Sequence, residues 1–318
     1  MEEVSYWIGD AHTDAVLYLD KNQADLVTWG KSQWDLAKCS QAGVKFQVMA
    51  LYIESEYKPE RALQQGLHLL ELTRQFAERQ KEQIFLIESR QDLSLIPEEK
   101  RLGLMLSVEG GEILAGKVWM VDVLYRLGIR AIGLTWNQRN DLADGAGEAE
   151  ANGGLTRLGK EVVKRMNERG MAVDLSHLSE QSFWDVLKVA DQPPYASHSC
   201  VASLCSHPRN LSDKQIIELA RSGGIVGINF YSGFLRAEGE AKRADVVKHI
   251  QYIADLVGPD YVALGSDFDG VEEQLPGLED VTMFPALLDD LERAGFSRKE
   301  IQGIGGENLL NYFKKVIK

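Results

Sequence analysis

Short runs of consecutive apolar residues alternate along this chain with longer stretches whose apolar positions recur every three or four residues. The short runs lie at 6–11, 44–53, 84–88, 103–109, 130–136, 171–177, 195–199, 225–230 and 261–267. Several are apolar throughout rather than alternating, the signature of parallel strands buried on both faces. Between them, 59–81 carries Ala62, Leu63, Gly66, Leu67, Leu70 and Phe76 on a helical period, and 157–169 places Leu158, Val162, Val163 and Met166 on one face. Ser179 reads as the N-cap of a helix over 180–190, and Ser212 with Gln215 as a capping box opening 213–222. A helix over 243–257 stops at Gly258-Pro259, and two more, near 284–294 and 307–316, close the chain.

Repeated strand–helix alternation implies a parallel sheet with right-handed crossovers. Nine strand candidates are one more than a closed barrel needs. The run at 84–88 is set aside, because only 89–102 separates it from the next strand and Pro97 interrupts that link. The other eight predict an α/β fold, a (β/α)8 TIM barrel. No Gly/Ser/Pro-rich linker divides the chain, so 1–318 is expected to form a single barrel domain. The Gly-rich stretch 144–154 reads as a long loop after the fourth of the eight strands, on the face where such loops reach an active site.

Composition narrows the function classes. Lys and Arg total 35 against 48 Asp and Glu, a formal charge of −13 with no basic block. Nucleic acid and anionic membrane are poor partners for such a surface. The three cysteines, Cys39, Cys200 and Cys205, are odd in number and lack zinc-finger spacing, which fits reduced thiols in a cytoplasmic protein. Met1-Glu2-Glu3-Val4 has no basic, then apolar, leader pattern. No apolar run approaches the ~20 residues of a membrane span.

The candidate chemistry lies at strand ends. In Asp10-Ala-His-Thr-Asp14, His12 and Asp14 are two apart and face the same side of a strand, where an imidazole and a carboxylate suit a borderline divalent metal. Glu109 ends the apolar run 102–109, His177 ends 172–177, His198 ends 195–198 and Asp267 ends 262–267. Three of only six histidines thus fall at strand ends. Taken singly, each residue is equally an ordinary helix cap or turn residue. A barrel, however, gathers the carboxyl ends of its strands around one point. Three histidines and three carboxylates exceed what one catalytic zinc uses and suit two metals about 3.5–4 Å apart. Glu109 is then the natural bridge, a metal-bridging hydroxide the nucleophile and Asp267 the proton shuttle. His68 and His249 fall within predicted helices and read as structural or solvent-facing, and Asp174, inside a strand, is left unassigned.

These motifs resemble the membrane (renal) dipeptidase family of binuclear zinc metallopeptidases. The matching strings are Asp10-Ala-His-Thr-Asp14, Ser107-Val-Glu-Gly110, Asp174-Leu-Ser-His-Leu-Ser179, Ala196-Ser-His-Ser199, Pro208-Arg-Asn210 and Gly265-Ser-Asp-Phe-Asp-Gly270. They occur in the family's order across most of the chain. The resemblance implies a metal-dependent amidohydrolase barrel holding two Zn2+ or other divalent ions. His12 and Asp14 would hold one, His177 and His198 the other, and Glu109 would bridge them. Asp267 matches the family's acid/base. Arg209 matches the arginine that binds the dipeptide's free carboxylate, for which a bidentate fork is suited. Asn229-Phe230-Tyr231 is also similar to a family string, which makes Tyr231 a substrate contact. One position departs. Where better-studied members carry Leu-Thr-His, whose histidine contacts the scissile carbonyl, this chain has Leu134-Thr135-Trp136-Asn137. Trp136 can only donate an indole N–H, so carbonyl polarisation passes to the metal or to Asn137.

The expected activity is zinc-dependent hydrolysis of small dipeptides, by a soluble enzyme for which a homodimer is one open assembly. The Trp136 departure keeps a second class in view, an amidohydrolase acting on N-acyl amino acids or other small amides. A metal-binding barrel without turnover is the third.

Overall fold

The computed structural model describes residues 6–23, 25–271 and 273–318; the N-terminal residues used for the leader argument lie outside them. Among these described residues nine strands form: β1 (Ile8–Thr13), β2 (Val44–Tyr52), β3 (Ile84–Leu86), β4 (Leu102–Glu109), β5 (Ile129–Gly133), β6 (Ala172–Asp174), β7 (Ala196–Ser199), β8 (Val226–Ile228) and β9 (Val262–Leu264). Every ladder between them is parallel. Eight run in the order β6-β5-β4-β2-β1-β9-β8-β7. The ends of that row meet where Tyr195 N donates to Val173 O (3.0 Å) and Leu175 N to Tyr195 O (2.7 Å), which closes the barrel.

The segment set aside from the barrel does form a strand, but it stands off the ring. β3 pairs with the first residues of β4, Leu102 to Leu104, whereas β5 joins β4 from Leu106 onward. Seven helices fall where the apolar period and the cap and stop signals placed them: Ala62–Arg79, Arg157–Arg169, Glu180–Val189, Asp213–Arg221, Arg243–Val257, Phe284–Arg293 and Asn308–Val316. The capping box forms, with Ser212 Oγ accepting from Gln215 N and Gln215 Oε1 accepting from Ser212 N. Shorter helices such as Ala15–Asn22, Leu36–Ala42 and Met120–Arg126 span only about two turns, too little for a period to show.

Two features of the packing position the site. Apolar strand residues Phe46, Val48, Met105, Ala131, Ala172 and Ala263 cluster with Leu309, Phe313 and Val316 of the last helix. Phe313 packs edge-on against Phe46 and Tyr195, at 5.7 and 5.3 Å between centroids, and each such fully buried ring contributes roughly 1.5–3 kcal/mol. Above this layer the interior turns polar. Asp10 and Gln47 are wholly buried yet satisfied. Ser266 donates to Asp10 from N (2.8 Å) and Oγ (2.7 Å), Gln47 Nε2 donates to Asp10 Oδ2 (3.0 Å), and Trp34 Nε1 donates to Gln47 Oε1 (2.9 Å). A saturated network of this kind rigidifies the layer under the mouth of the barrel. Asp269 is more than a turn residue: it accepts from Ser32 Oγ, Gln33 N and Trp34 N, tying the loop after β9 to the segment between the first two helices after β1.

Candidate active site

The six strand-end residues come together at the carboxyl mouth of the barrel, by two different local routes. His12 lies in β1, Glu109 is the last residue of β4 and His198 lies in β7, so strand geometry aims them. His177 and Asp267 were expected to end strands, but β6 stops at Asp174 and β9 at Leu264. Both residues sit three positions further on, in left-handed backbone (φ 68° and 63°). Non-glycine residues rarely adopt that conformation outside sites that over-determine it. The over-determination is visible at His177, whose carbonyl accepts from Ala146 N (2.7 Å) and Thr135 Oγ1 (3.3 Å). The Gly-rich loop 144–154 therefore does reach the site, through its backbone.

Glu109 is central. Its Oε1 lies 2.6 Å from His177 Nε2 and 3.7 Å from His198 Nε2, while its Oε2 lies 3.5 Å from His12 Nε2. His12 Nε2 is also 3.4 Å from Asp14 Oδ2 and 3.7 Å from Asp267 Oδ1. Three overlapping sets of potential ligand atoms result: His12, Asp14 and Glu109; Glu109, His177 and His198; His12, His198 and Asp267.

The hydrogen bonds around these rings fit a bound cation. His177 Nδ1 faces the Asn137 Oδ1 acceptor at 2.8 Å, so this nitrogen carries the proton and Nε2 carries a lone pair. His198 Nε2 lies 2.8 Å from His177 Nε2. His12 Nε2 and Asp14 Oδ1 are buried without any hydrogen-bond partner. Buried polar atoms left unpaired in this way ask for an ion or water. Burial, followed by the charge of Arg209, pushes the His177 imidazole down to about 3. Burial and the neighbouring His12 depress His198 as well. Both rings are thus neutral, the form that ligates a metal. Burial, the largest effect, lowers His12, but the Asp14 and Glu109 carboxylates 3.4 and 3.5 Å away hold it well above the ordinary range, marking a point that favours positive charge. Burial raises the Asp267 carboxyl above its usual range; His12 opposes this and Glu109 adds to it.

A cleft of about 520 Å³ opens over these groups, lined among others by Tyr52, Trp136, Arg209, Tyr231 and Asp267. Arg209 is 5% exposed; its Nη2 donates to His198 O (3.3 Å), and its Nε has no partner. Tyr231 and Trp136, both singled out from the sequence, line the cleft. Asn137 also lines it, but its side-chain oxygen is engaged by His177. Four contributors escaped the sequence reading. Tyr52 and His207 line the cleft, Gly270 abuts Asp14 and Asp267, and Ser197 touches the ring of His198. Tyr52 had a legible signal, being the last residue of β2 and paired with Glu109. His68 and His249 stay outside the site, bonded respectively to Asp20 and to backbone.

A parallel (β/α)8 barrel with histidines and carboxylates gathered at its carboxyl mouth defines a metal-dependent hydrolase. The chain belongs to the membrane dipeptidase family, peptidase family M19, whose family model matches residues 4–318. It is a metallo-dipeptidase. An uncharacterized dipeptidase of Schizosaccharomyces pombe is 32% identical over 300 residues, covering 89% of this chain and 72% of that protein. Among solved structures, dipeptidase AC, a metallo peptidase of family M19, superposes with TM-score 0.92 at 26% identity, covering 98% of this chain and 99% of that one. A metallo peptidase from Rhodobacter sphaeroides, liganded with a phosphinate mimic of L-Ala-D-Ala, shares the fold with TM-score 0.92 at 24% identity over 98% and 99% of the two chains. Despite the family's title, no helix among the described residues is long and apolar enough to cross a membrane.

Proposed function

We propose that the enzyme cleaves small dipeptides with free termini at a two-zinc centre held by His12, Asp14, Glu109, His177 and His198, within a single catalytic domain. The observation that carries this reading is the division of labour in Glu109. One of its oxygens faces the His177–His198 pair and the other faces His12. When bound, the metal pair supplies Lewis acidity, which makes water a competent nucleophile near neutral pH.

The remaining chemistry falls to side chains. Asp267 accepts a hydrogen bond from Asn229 Nδ2 on Oδ2 (2.9 Å), which leaves Oδ1 directed toward His12. With its carboxyl raised by burial, Asp267 takes up a proton at Oδ1 from the attacking water and returns it to the leaving amine. Arg209, buried with an unpaired Nε, receives the terminal carboxylate of the substrate and so enforces dipeptide length. Tyr231 supports that end of the substrate. Trp136 and Tyr52 form the opposite wall and exclude water from the reacting amide.

One observation favours a second reading, hydrolysis of N-acyl amino acids. A hollow of about 710 Å³, reaching Lys21, Lys31 and Gln33, shares Leu17, Tyr52 and Trp136 with the cleft and gives room beyond an amino-terminal residue. Purified protein loaded with zinc is expected to release free amino acids from a panel of L,L- and L,D-dipeptides, and chelation to stop release. N-acyl amino acids outrunning every dipeptide would shift the assignment to the second reading. No turnover with two metals bound would remove both.

A further inference from the structure

Ser197 stands at the centre of a buried hydrogen-bond chain that no catalytic step above uses. Its Oγ lies 2.5 Å from Asp174 Oδ2, 2.6 Å from His198 Nδ1 and 3.4 Å from His12 Nδ1. Asp174 is 6% exposed and Ser197 fully buried. The other oxygen of Asp174 accepts from two backbone amides, Ser176 N and Ser197 N, both at 3.0 Å. Asp174 is therefore an acceptor on both oxygens, and the single hydroxyl hydrogen of Ser197 goes to it. That leaves the Ser197 oxygen with only lone pairs to offer. Each histidine facing it must then bring its proton on Nδ1.

We infer that the Asp174–Ser197 pair sets the tautomer of both His198 and His12, so that one hydroxyl holds Nε2 free for metal on both halves of the proposed two-metal centre. The inference rests on that two-metal reading. His177 has a separate partner, Asn137, at its own Nδ1. The three ligand rings thus fall under two controls: Ser197 governs one ligand of each metal, and Asn137 governs His177 alone. Asp174 and Ser197 are positioning residues, since they act through the rings. Partners of ligating histidines are generally worth about 10–100-fold in metal affinity.

Two substitutions separate the relay from simple packing. Ser197→Ala removes the acceptor. Asp174→Asn does something sharper at nearly constant shape. The amide oxygen keeps the two backbone amides, and the amide NH2 now donates to Ser197 Oγ. Of the acceptors that remain, His198 Nδ1 at 2.6 Å is closer than Ser176 Oγ at 3.3 Å, so the hydroxyl hydrogen turns toward His198 Nδ1, which moves the ring proton onto Nε2 and blocks the metal-binding lone pair. An analogous exchange of donor and acceptor inverts the histidine tautomer in catalytic triads.

The test is zinc titration calorimetry on chelator-stripped protein, beside nitrogen-15 histidine spectra of the metal-free state. Wild type is expected to bind two zincs. Ser197→Ala is expected to weaken both steps by about 10–100-fold, Asn137→Ala to weaken one, and Asp174→Asn to weaken both and to switch the His198 tautomer. Circular dichroism confirms folding, and Asp174→Asn carries the test if Ser197→Ala does not fold. Two zincs in wild type with unchanged affinities and an unchanged His198 tautomer in Asp174→Asn would overturn the relay while leaving the metal centre standing. Fewer than two zincs in wild type would remove both.

Discussion

The indole of Trp136 is stacked on the imidazole of His177, with centroids 5.8 Å apart and planes inclined by 30°. The same ring also meets Tyr52, at 5.6 Å, and the ammonium of Lys58, at 5.8 Å. The residue that departs from the family's Leu-Thr-His string is therefore part of the wall of the site, and it cannot act as a charged electrophile. Trp136→Ala is expected to lower kcat/KM for dipeptides about tenfold, or ~1.4 kcal/mol of transition-state stabilisation. Zinc content should not change, because Asn137 still orients His177. Steady-state kinetics with parallel metal analysis checks both halves of the statement.

Arg209 is poised for a carboxylate. Arg209→Lys keeps the charge but loses the planar fork. The kcat/KM for dipeptides should fall about 10–100-fold, in line with roughly 1.5–3 kcal/mol for a hydrogen bond to a charged group. The same substitution should leave a dipeptide amide, which lacks the carboxylate, nearly unaffected. Equal losses on acid and amide would show that Arg209 does not read the terminus.

Gly270 follows Asp267-Phe-Asp in what looks locally like an ordinary turn. A Cβ there would lie 2.3 Å from Asp14 Oδ2 and 2.7 Å from Asp267 Oδ1. Gly270→Ala is thus expected to fold but to lose at least tenfold in zinc affinity or kcat, because both carboxylates must shift from their positions. A melting curve alongside zinc titration distinguishes this from a general loss of structure.

His249 supplies a pH dependence away from the metal centre. Its Nδ1 accepts from Val201 N (3.0 Å) and its Nε2 donates to Leu235 O (3.1 Å). Burial holds it below the ordinary 6.5, against a smaller upward pull from Leu235 and Asp245. The unfolded chain therefore takes up this proton first as pH falls. The contribution of His249 to stability is complete above 6.5 and is lost as pH drops toward the folded value. His249→Gln should cost about 1–2 kcal/mol at pH 8 and flatten the decline between pH 7 and pH 5. Urea denaturation at those three pH values measures the slope.

Much of the frame was readable locally. The helix Arg157–Arg169 appears at its predicted bounds, since an apolar face and the αL cap at Gly170 are both encoded within one short stretch. The strand lengths were less legible. The runs through His177 and Asp267 look like continuous strands, yet each breaks three residues early into a left-handed turn. Those turns are stabilised by partners such as Ala146 N and Asn229 Nδ2, which come from other loops. Asn137 shows the same limit. The Trp136 departure brought it in as a candidate for carbonyl polarisation, and no spacing along the chain showed that its side-chain oxygen meets a histidine 40 residues away.

What the sequence determined by itself was the order of strands and helices and the chemical character of their ends, because apolar period, caps and ligand-type residues are properties of neighbours along the chain. Which groups share a proton or a cation was decided only in three dimensions. Ser197 reaches both the adjacent His198 and His12, 185 residues away, because closing the ring brings the ends of β1 and β7 within hydrogen-bonding range. No local spacing carries that information, since it depends on where the strands stand around the barrel and on how each loop leaves it.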